Sequence, residues 1–194
     1  MKKSTNPKQS DVADITRLKQ CIKKNSHPTS LGSFKPACVF LLLYEKNGAL
    51  HIPAILKADN IGYPWANQVA LPGGLIEKSD NSPVDTAYRE LEEELGITRP
   101  HVEHIGSMGH FQTLKNTEIE VFTGIWDEQE TICFDPSEIA KIVDVPIDKL
   151  LDTHFSRGLA GRAPGWEELM YPIDDVVIWG ATAKILHYFL ELVY

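Results

Sequence analysis

Glu90, Glu93 and Glu94 are the residues whose type and spacing most directly suggest chemistry. They belong to the run Arg89-Glu90-Leu91-Glu92-Glu93-Glu94-Leu95-Gly96-Ile97. On a helix turning about 100° per residue, Glu90 and Glu94 fall one turn apart on one flank, Glu93 lies beside them and Glu92 projects to the other side. Like charges four residues apart cost a helix a few tenths of a kcal/mol, so carboxylates converging on one place call for a compensating cation. A hard divalent ion suits them, because Mg²⁺ prefers oxygen ligands and keeps waters and substrate phosphates in its shell. A solvated acidic face is the competing reading, since charge runs often do no more than solvate. Gly73-Gly74 ahead of the run favours a site, because paired glycines let backbone or ligand approach closely. A tight turn would explain the same pair on its own.

The elements that must position these groups can be read from the apolar spacing. Ser82 can cap a helix, Pro83 suits its first position, Asp85 complements the N-terminal dipole and Gly96 can end it in the left-handed region. Val84, Ala87, Tyr88, Leu91 and Leu95 then share the buried face. Upstream, Asp11–Lys24 shows helical spacing with Ser10 as a cap, and Asn25–Lys35 reads as a loop. Ala37–Tyr44 reads as a buried strand, Asn47-Gly48 as a hairpin turn and Ala49–Leu56 as the returning strand. Ala58–Asn67 reads as a surface loop, followed by a short strand Gln68–Leu71 that ends at Pro72-Gly73-Gly74. Downstream, Val102–Thr113 and Glu118–Trp126 read as strands around a turn at Lys115-Asn116, and Glu138–Val145 as a further strand. Pro146–Leu151 reads as a short helix, Arg157–Trp166 as a mobile Gly-rich loop, Val176–Trp179 as the last strand and Ala181–Val193 as a C-terminal helix. This order implies an α+β fold: a flexible lead over residues 1–10, then one domain over 11–194 with a mixed sheet flanked by helices.

The segment from Gly74 to Ile97 resembles the Nudix box: Gly, five residues, Glu, seven residues, Arg-Glu, an aliphatic residue, any residue, Glu-Glu, any residue, Gly, an aliphatic residue. Arg89, Glu90, Leu91, Glu93, Glu94, Gly96 and Ile97 match its second half without a gap. The first half departs: Asp80 stands where Glu is expected, and Arg89 arrives one residue late. That longer loop is similar to the coenzyme A pyrophosphatase branch. So are Pro136-Ser137-Glu138-Ile139, Val145-Pro146-Ile147 with Leu150-Leu151, and Ile178-Trp179-Gly180-Ala181-Thr182-Ala183. The branch's own upstream signature is mostly missing. Its Thr, Ser and Arg positions fall near Leu56, Ala58, Asp59 and Tyr63, and its Phe-Pro-Gly-Gly is Leu71-Pro72-Gly73-Gly74.

The resemblance implies a Nudix-type α/β/α sandwich with the catalytic helix after a Gly-Gly loop. It implies metal-dependent hydrolysis of a diphosphate bond in a nucleotide-like small molecule, such as coenzyme A, ADP-ribose or a dinucleotide, to two monophosphates. By the same resemblance Glu90 and Glu94 bind Mg²⁺ or Mn²⁺, Glu93 binds metal or takes a proton from water, and the Gly74 carbonyl completes the shell. Arg89 orients a glutamate through a salt bridge rather than touching substrate. Asp80 is open between a loop-fixing role and an ordinary turn residue.

Weaker candidates surround this set. Glu118 and Glu120 share one strand face, and one of them can approach the metal, although an exposed face is the plainer reading. His101, His104 and His110 lack metal spacing and read as structural or exposed. Tyr63 is a candidate for stacking on a base, as are Trp65, Phe111 and Phe122, although aromatics in strands are usually core. Arg157 and Arg162 are candidates to clamp phosphate from the Gly-rich loop, against a merely solvated loop.

The totals narrow the partners. Lys and Arg number 19 against 27 Asp and Glu, a formal net charge of -8, so no dedicated nucleic-acid surface is expected. This disfavours an RNA 5′-end pyrophosphohydrolase. A nucleotide-sensing module without catalysis is the other alternative, disfavoured by the intact acid set. Cys21, Cys38 and Cys133 show neither metal nor disulfide spacing and suit a reducing compartment. Without a signal-like N-terminus or a run long enough to span a bilayer, a cytoplasmic protein with no membrane partner is expected, and a homodimer is left open.

Overall fold

Ala37–Tyr44 carries no charged residue on either face, and a strand of this kind must be covered on both sides. The computed structural model describes residues 10–24, 33–60 and 65–194, and the run forms the middle of β1 (Lys35–Lys46). Cys38, Phe40, Leu42 and Tyr44 enter one apolar cluster, whereas Val39, Leu41 and Leu43 enter the other. The two-residue period of the strand sends alternate side chains to opposite layers.

In chain order the elements are α1 (Ser10–Lys24), β1, β2 (Ala49–Lys57), β3 (Val69–Ala70), β4 (Gly73–Leu75), α2 (Pro83–Leu95), a 3-10 turn (Arg99–His101), β5 (Val102–Gln112), β6 (Thr117–Trp126), β7 (Ile139–Pro146), α3 (Ile147–Ser156), β8 (Tyr171–Ile173), β9 (Val176–Ile178) and α4 (Gly180–Val193). The main sheet runs β3-β2-β1-β6-β5, with β4 added to β1 and β7 to β2. β1 and β6 are parallel, and the remaining pairs are antiparallel, so the sheet is mixed as expected. α2 covers one face through Ala87, Leu91 and Leu95. α1 and α4 cover the other through Leu18, Ile22, Ile185, Leu186 and Phe189, giving the α/β/α sandwich.

One detail of the pairing makes room for the site. β2 pairs with β1 only from Tyr44↔His51 to Lys46↔Ala49. The hairpin turn is the expected Asn47-Gly48, with φ of 55° and 77°, as a type I′ turn requires. Beyond it the strands diverge, and β4 takes the vacated edge of β1 through Ala37↔Leu75, Cys38↔Gly74 and Val39↔Gly73. The glycine pair is therefore part of the sheet rather than a free loop.

Several sequence expectations need adjustment. α1 begins at Ser10, which is helical rather than a cap outside the helix; residues 1–9 of the expected lead, residues 25–32 and Tyr63 lie outside the described residues. α3 runs to Ser156 instead of stopping at Leu151, because Ile147, Leu150 and His154 form a buried face that outweighs the poor helix propensity of Asp152, Thr153 and His154. β8, absent from the sequence reading, pairs with β9 across a turn where Asp174 has φ 50°; Pro172 and the brevity of the strand hid it. The loop after α3, expected to be mobile, is tied down by Gly161 N–H donating to Glu191 (2.8 Å) and by His187 meeting the Arg162 carbonyl (3.2 Å). No helix among the described residues is long and apolar enough to cross a membrane.

Phe40 is fully buried between α2 and β6 and packs edge-on against Tyr88 at 4.8 Å between centroids. Phe40→Ala should lower the unfolding free energy by about 3–5 kcal/mol. Leu114→Ala, at a side chain 92% exposed, should stay within about 0.5 kcal/mol. Urea denaturation of both variants checks the assignment of the core; equal midpoints would contradict it.

Candidate active site

α2 forms where its signals place it. The Ser82 side chain accepts from the Asp85 N–H, and Gly96, at φ 70°, donates its N–H to the Glu92 carbonyl. With the apolar face fixed against β1, the flank carrying Glu90 and Glu94 is pressed toward β4. Glu94 is 6% exposed. Its Oε2 accepts from the Gly73 N–H at 2.9 Å, and its Oε1 pairs with the Lys57 ammonium at the end of β2.

The two glycines are needed for different reasons. Gly73 has φ 149°, and a Cβ there would lie 2.2 Å from the Cys38 carbonyl oxygen of β1. At Gly74 a Cβ would lie 2.3 Å from Oε1 of Glu90. The first glycine lets β4 join the sheet, and the second lets the backbone lie against the Glu90 carboxylate.

Arg89 organises the rest. Its Nε and one terminal nitrogen donate to the two Asp80 oxygens at 3.0 and 3.2 Å. The other terminal nitrogen donates to Glu90 at 2.9 Å and Glu93 at 3.0 Å. Asp80 also accepts from the Glu77 backbone N–H (2.9 Å) and the Thr86 hydroxyl (2.8 Å). Asp80 thus fixes both the loop and the guanidinium, which settles the alternatives left open for it. Those Arg89 bonds, with help from Glu77 and Thr86, hold its carboxyl well below the usual carboxylate range.

The glutamates are under opposite pressure. Burial pushes the Glu90 carboxyl upward against the pull of Arg89, and Glu94 and Glu93 add to the push. Burial also raises Glu94, against Lys57 and the Gly73 N–H, with Glu138 adding to the rise. Two desolvated carboxylates beside a more exposed third form a hard-oxygen set short of positive charge. With the Gly74 backbone against Glu90, where any side chain would fill the space, this set fits Mg²⁺ or Mn²⁺.

A fourth acid stands in the same row of the sheet. Gly74 pairs with Cys38, Cys38 with Glu120, and Glu120 with His110, so these residues lie in line across β4, β1, β6 and β5. Cys38 and Phe122 belong to the α2 layer, and Glu120 points with them. His110 Nε2 lies 3.6 Å from its carboxylate. Glu120, read from sequence as the exposed alternative, is thus on the side of α2. Lys57 escaped the sequence reading entirely, because nothing local in Ile55-Leu56-Lys57-Ala58 marks a lysine that meets a helix 37 residues later.

The structure does not bring the two loop arginines to this cluster. Arg157 donates to the Met170 carbonyl at 2.8 Å, and Arg162 bonds Gly158 and Glu168 at 3.2 and 3.0 Å. Their loop is fastened to α4, whose apolar face packs on the side of the sheet opposite α2. Trp65 is 43% exposed and stacks under the Lys115 ammonium at 4.8 Å. Phe111 and Phe122 are buried.

A NUDIX domain model matches residues 35–161. The chain is 30% identical over 124 residues to the Nudix hydrolase NudL of Photorhabdus laumondii, covering 63% of this chain and 66% of that protein. It is 29% identical over 161 residues to the chloroplastic Nudix hydrolase 22 of Arabidopsis thaliana, covering 78% and 53%. The chain therefore spans just under two-thirds of the first relative and about half of the second. Among solved structures, a MutT/nudix family protein from Enterococcus faecalis superposes with TM-score 0.54 at 13% identity, covering 96% of this chain and 73% of that one. The NUDIX domain of Shewanella oneidensis NrtR complexed with ADP ribose gives TM-score 0.50 at 17% identity, covering 67% and 84%. With its fold, its glycine-bounded acidic helix and the family model in agreement over the same segment, this chain belongs to the Nudix family.

Proposed function

We propose that this protein hydrolyses a diphosphate bond in a nucleoside-diphosphate-linked small molecule, of the coenzyme A, ADP-ribose or dinucleotide kind, to two monophosphates with Mg²⁺ or Mn²⁺ as cofactor. The observation that carries this reading is the pair of desolvated carboxylates, Glu90 and Glu94, packed onto the Gly73–Gly74 backbone. Arg89 and Lys57 offset part of the cost of burying these charges, and a divalent cation would offset the repulsion that remains.

Glu90 and Glu94, with Glu93 and the Gly74 carbonyl, are the residues that would hold the metal. Bound there, the metal would polarise the diphosphate and lower the pKa of the attacking water. Arg89 is a positioning residue. Its fork is locked on Asp80, and its remaining nitrogen pins Glu90 and Glu93 in one geometry. Lys57 places a further positive charge against Glu94 and offsets the repulsion among the acids. Glu93, with a side chain 59% exposed, is open to solvent and suits proton acceptance from water. Cys38, the thiol beside Gly74, is no nucleophile: burial, with Glu120 and Asp80 adding to it, pushes its pKa up to about 12. Attack is therefore assigned to water.

Three outcomes test the reading. Adding Mg²⁺ or Mn²⁺ should raise the melting temperature, since a ligand at a hundred times its dissociation constant adds about 2.7 kcal/mol. The rise should shrink in Glu90→Gln and Glu94→Gln, and identical rises in all proteins would remove the metal assignment. Glu93→Gln should lower turnover by at least about 100-fold while nucleotide binding persists; a wild type that binds nucleotides yet cleaves none of a panel of coenzyme A, ADP-ribose and dinucleoside polyphosphates would favour a sensor. In ¹⁸O-water a single turnover should label only one of the two monophosphate products. A trapped phosphoryl- or nucleotidyl-enzyme would overturn direct attack by water.

A further inference from the structure

On the layer opposite α2, a second group of ligand-type side chains converges from three elements. His154 comes from α3, His187 and Glu191 from one face of α4, and Tyr171 from β8. One ligand atom from each of His154, His187 and Glu191 lies within 4.8 Å of the others. His154 and His187 are 2% and 8% exposed, while the Glu191 side chain, at 31%, leaves an approach from solvent.

The contacts form a chain that can be counted. The Arg162 carbonyl meets His187 Nε2 at 3.2 Å, and His187 Nδ1 meets Tyr171 Oη at 3.5 Å. Tyr171 Oη meets His154 Nδ1 at 3.1 Å, and His154 Nε2 meets Glu191 Oε1 at 2.8 Å. Each contact needs one hydrogen. Carbonyl and carboxylate oxygens bring none, each neutral imidazole brings one and the phenol brings one. Three hydrogens serve four contacts, so every neutral arrangement leaves two lone pairs facing each other. The Gly161 N–H, which donates to Glu191 at 2.8 Å, does not relieve this. Among the described residues no lysine or arginine pairs with Glu191, and its ion-pair partner is His154. The cluster is one positive charge short.

We propose that His154, His187 and Glu191 form a binding site for a divalent transition-metal ion of the zinc or cobalt type, separate from the acidic cluster on α2. Two imidazoles and a carboxylate are the donor set such ions select, whereas Mg²⁺ prefers oxygen alone. A metal on one nitrogen of each ring removes that nitrogen's need for a hydrogen. The remaining hydrogens then suffice for the contacts to Tyr171, which becomes the partner that fixes both ring orientations. Tetrahedral coordination at 2.0–2.1 Å requires ligand atoms roughly 3.3–3.5 Å apart, so His154 Nε2 and Glu191 Oε1, now 2.8 Å apart, must open slightly to admit the ion, and the exposed Glu191 arm can supply that movement. The ion would clamp α3, α4 and the Gly161–Arg162 backbone together.

The test uses the full chain, stripped with chelator and titrated with Co²⁺ alone, followed by visible absorption, and with Zn²⁺ alone, followed by calorimetry. The expected result is one site with the intense absorption of low-coordinate Co²⁺ that persists in Glu90→Gln/Glu94→Gln. Zn²⁺ affinity should fall at least 10-fold in Glu191→Gln and at least 100-fold in His187→Gln. Glu191→Gln alters an exposed side chain, so it reports even if the histidine variant fails to fold. Unchanged affinity in Glu191→Gln, or complete loss of binding in Glu90→Gln/Glu94→Gln, would overturn the site. Absence of any Co²⁺ band in the wild type would do the same and would leave a proton as the missing charge.

Discussion

β1 must be dry on both faces, and the other elements are arranged to make it so. Its apolar residues leave no side for water, so helices have to lie above and below and strands have to occupy both edges. β6 covers one edge from Lys35 to Leu43. The other edge is shared: β2 takes the hairpin end, and β4 takes the beginning. That division fixes where Gly73 and Gly74 must sit. Because Phe40 and Leu42 on the same strand anchor Leu91 and Leu95, it also fixes which flank of α2 faces them. The position of the acids follows from hydrophobic burial, and the Gly73 N–H bond to Glu94 then fixes that carboxylate in place.

Burial brings an electrostatic cost, and the fold answers it with fixed partners. Glu90 and Glu94 are desolvated together with Asp80, while Arg89 and Lys57 supply the nearby positive charge. A buried ion pair seldom stabilises a fold more than well-packed apolar groups would, yet breaking one is strongly destabilising. The network is better understood as holding geometry than as adding stability. Arg89 is suited to this because a planar fork can bind Asp80 through two nitrogens and still reach Glu90 and Glu93, which a lysine could not do. The same surplus of acceptors over positive charge recurs in the His154–Tyr171–His187–Glu191 chain, on the other side of the sheet and with softer ligands.

Local signals were strong wherever the determinant lay within one turn or one strand. The cap at Ser82, the stop at Gly96, the Asn47-Gly48 hairpin and the two-sided burial of β1 were all legible in the sequence, because each depends on residues a few positions apart. So was the placing of Glu90 and Glu94 one turn apart on one flank of α2 with Glu93 beside them, a consequence of helical periodicity. The length of α3, the presence of β8 and the anchoring of the loop at Gly161 depend on burial against distant elements and overrode local propensity.

The site divides in the same way. Residue type and spacing alone pointed to Glu90, Glu93 and Glu94 and to the glycine pair as candidates. Only the tertiary structure decided that Lys57 meets Glu94, that Asp80 locks Arg89, that Glu120 lies in line with Gly74, and that Arg157 and Arg162 serve their own loop rather than the acids. Each of these contacts joins different elements or turns on where a loop is fastened, and no periodicity within one segment encodes that distance. The histidine cluster is the extreme case: His154 and His187 stand 33 positions apart in the chain, and only the packing of α3 against β8 and α4 makes them neighbours.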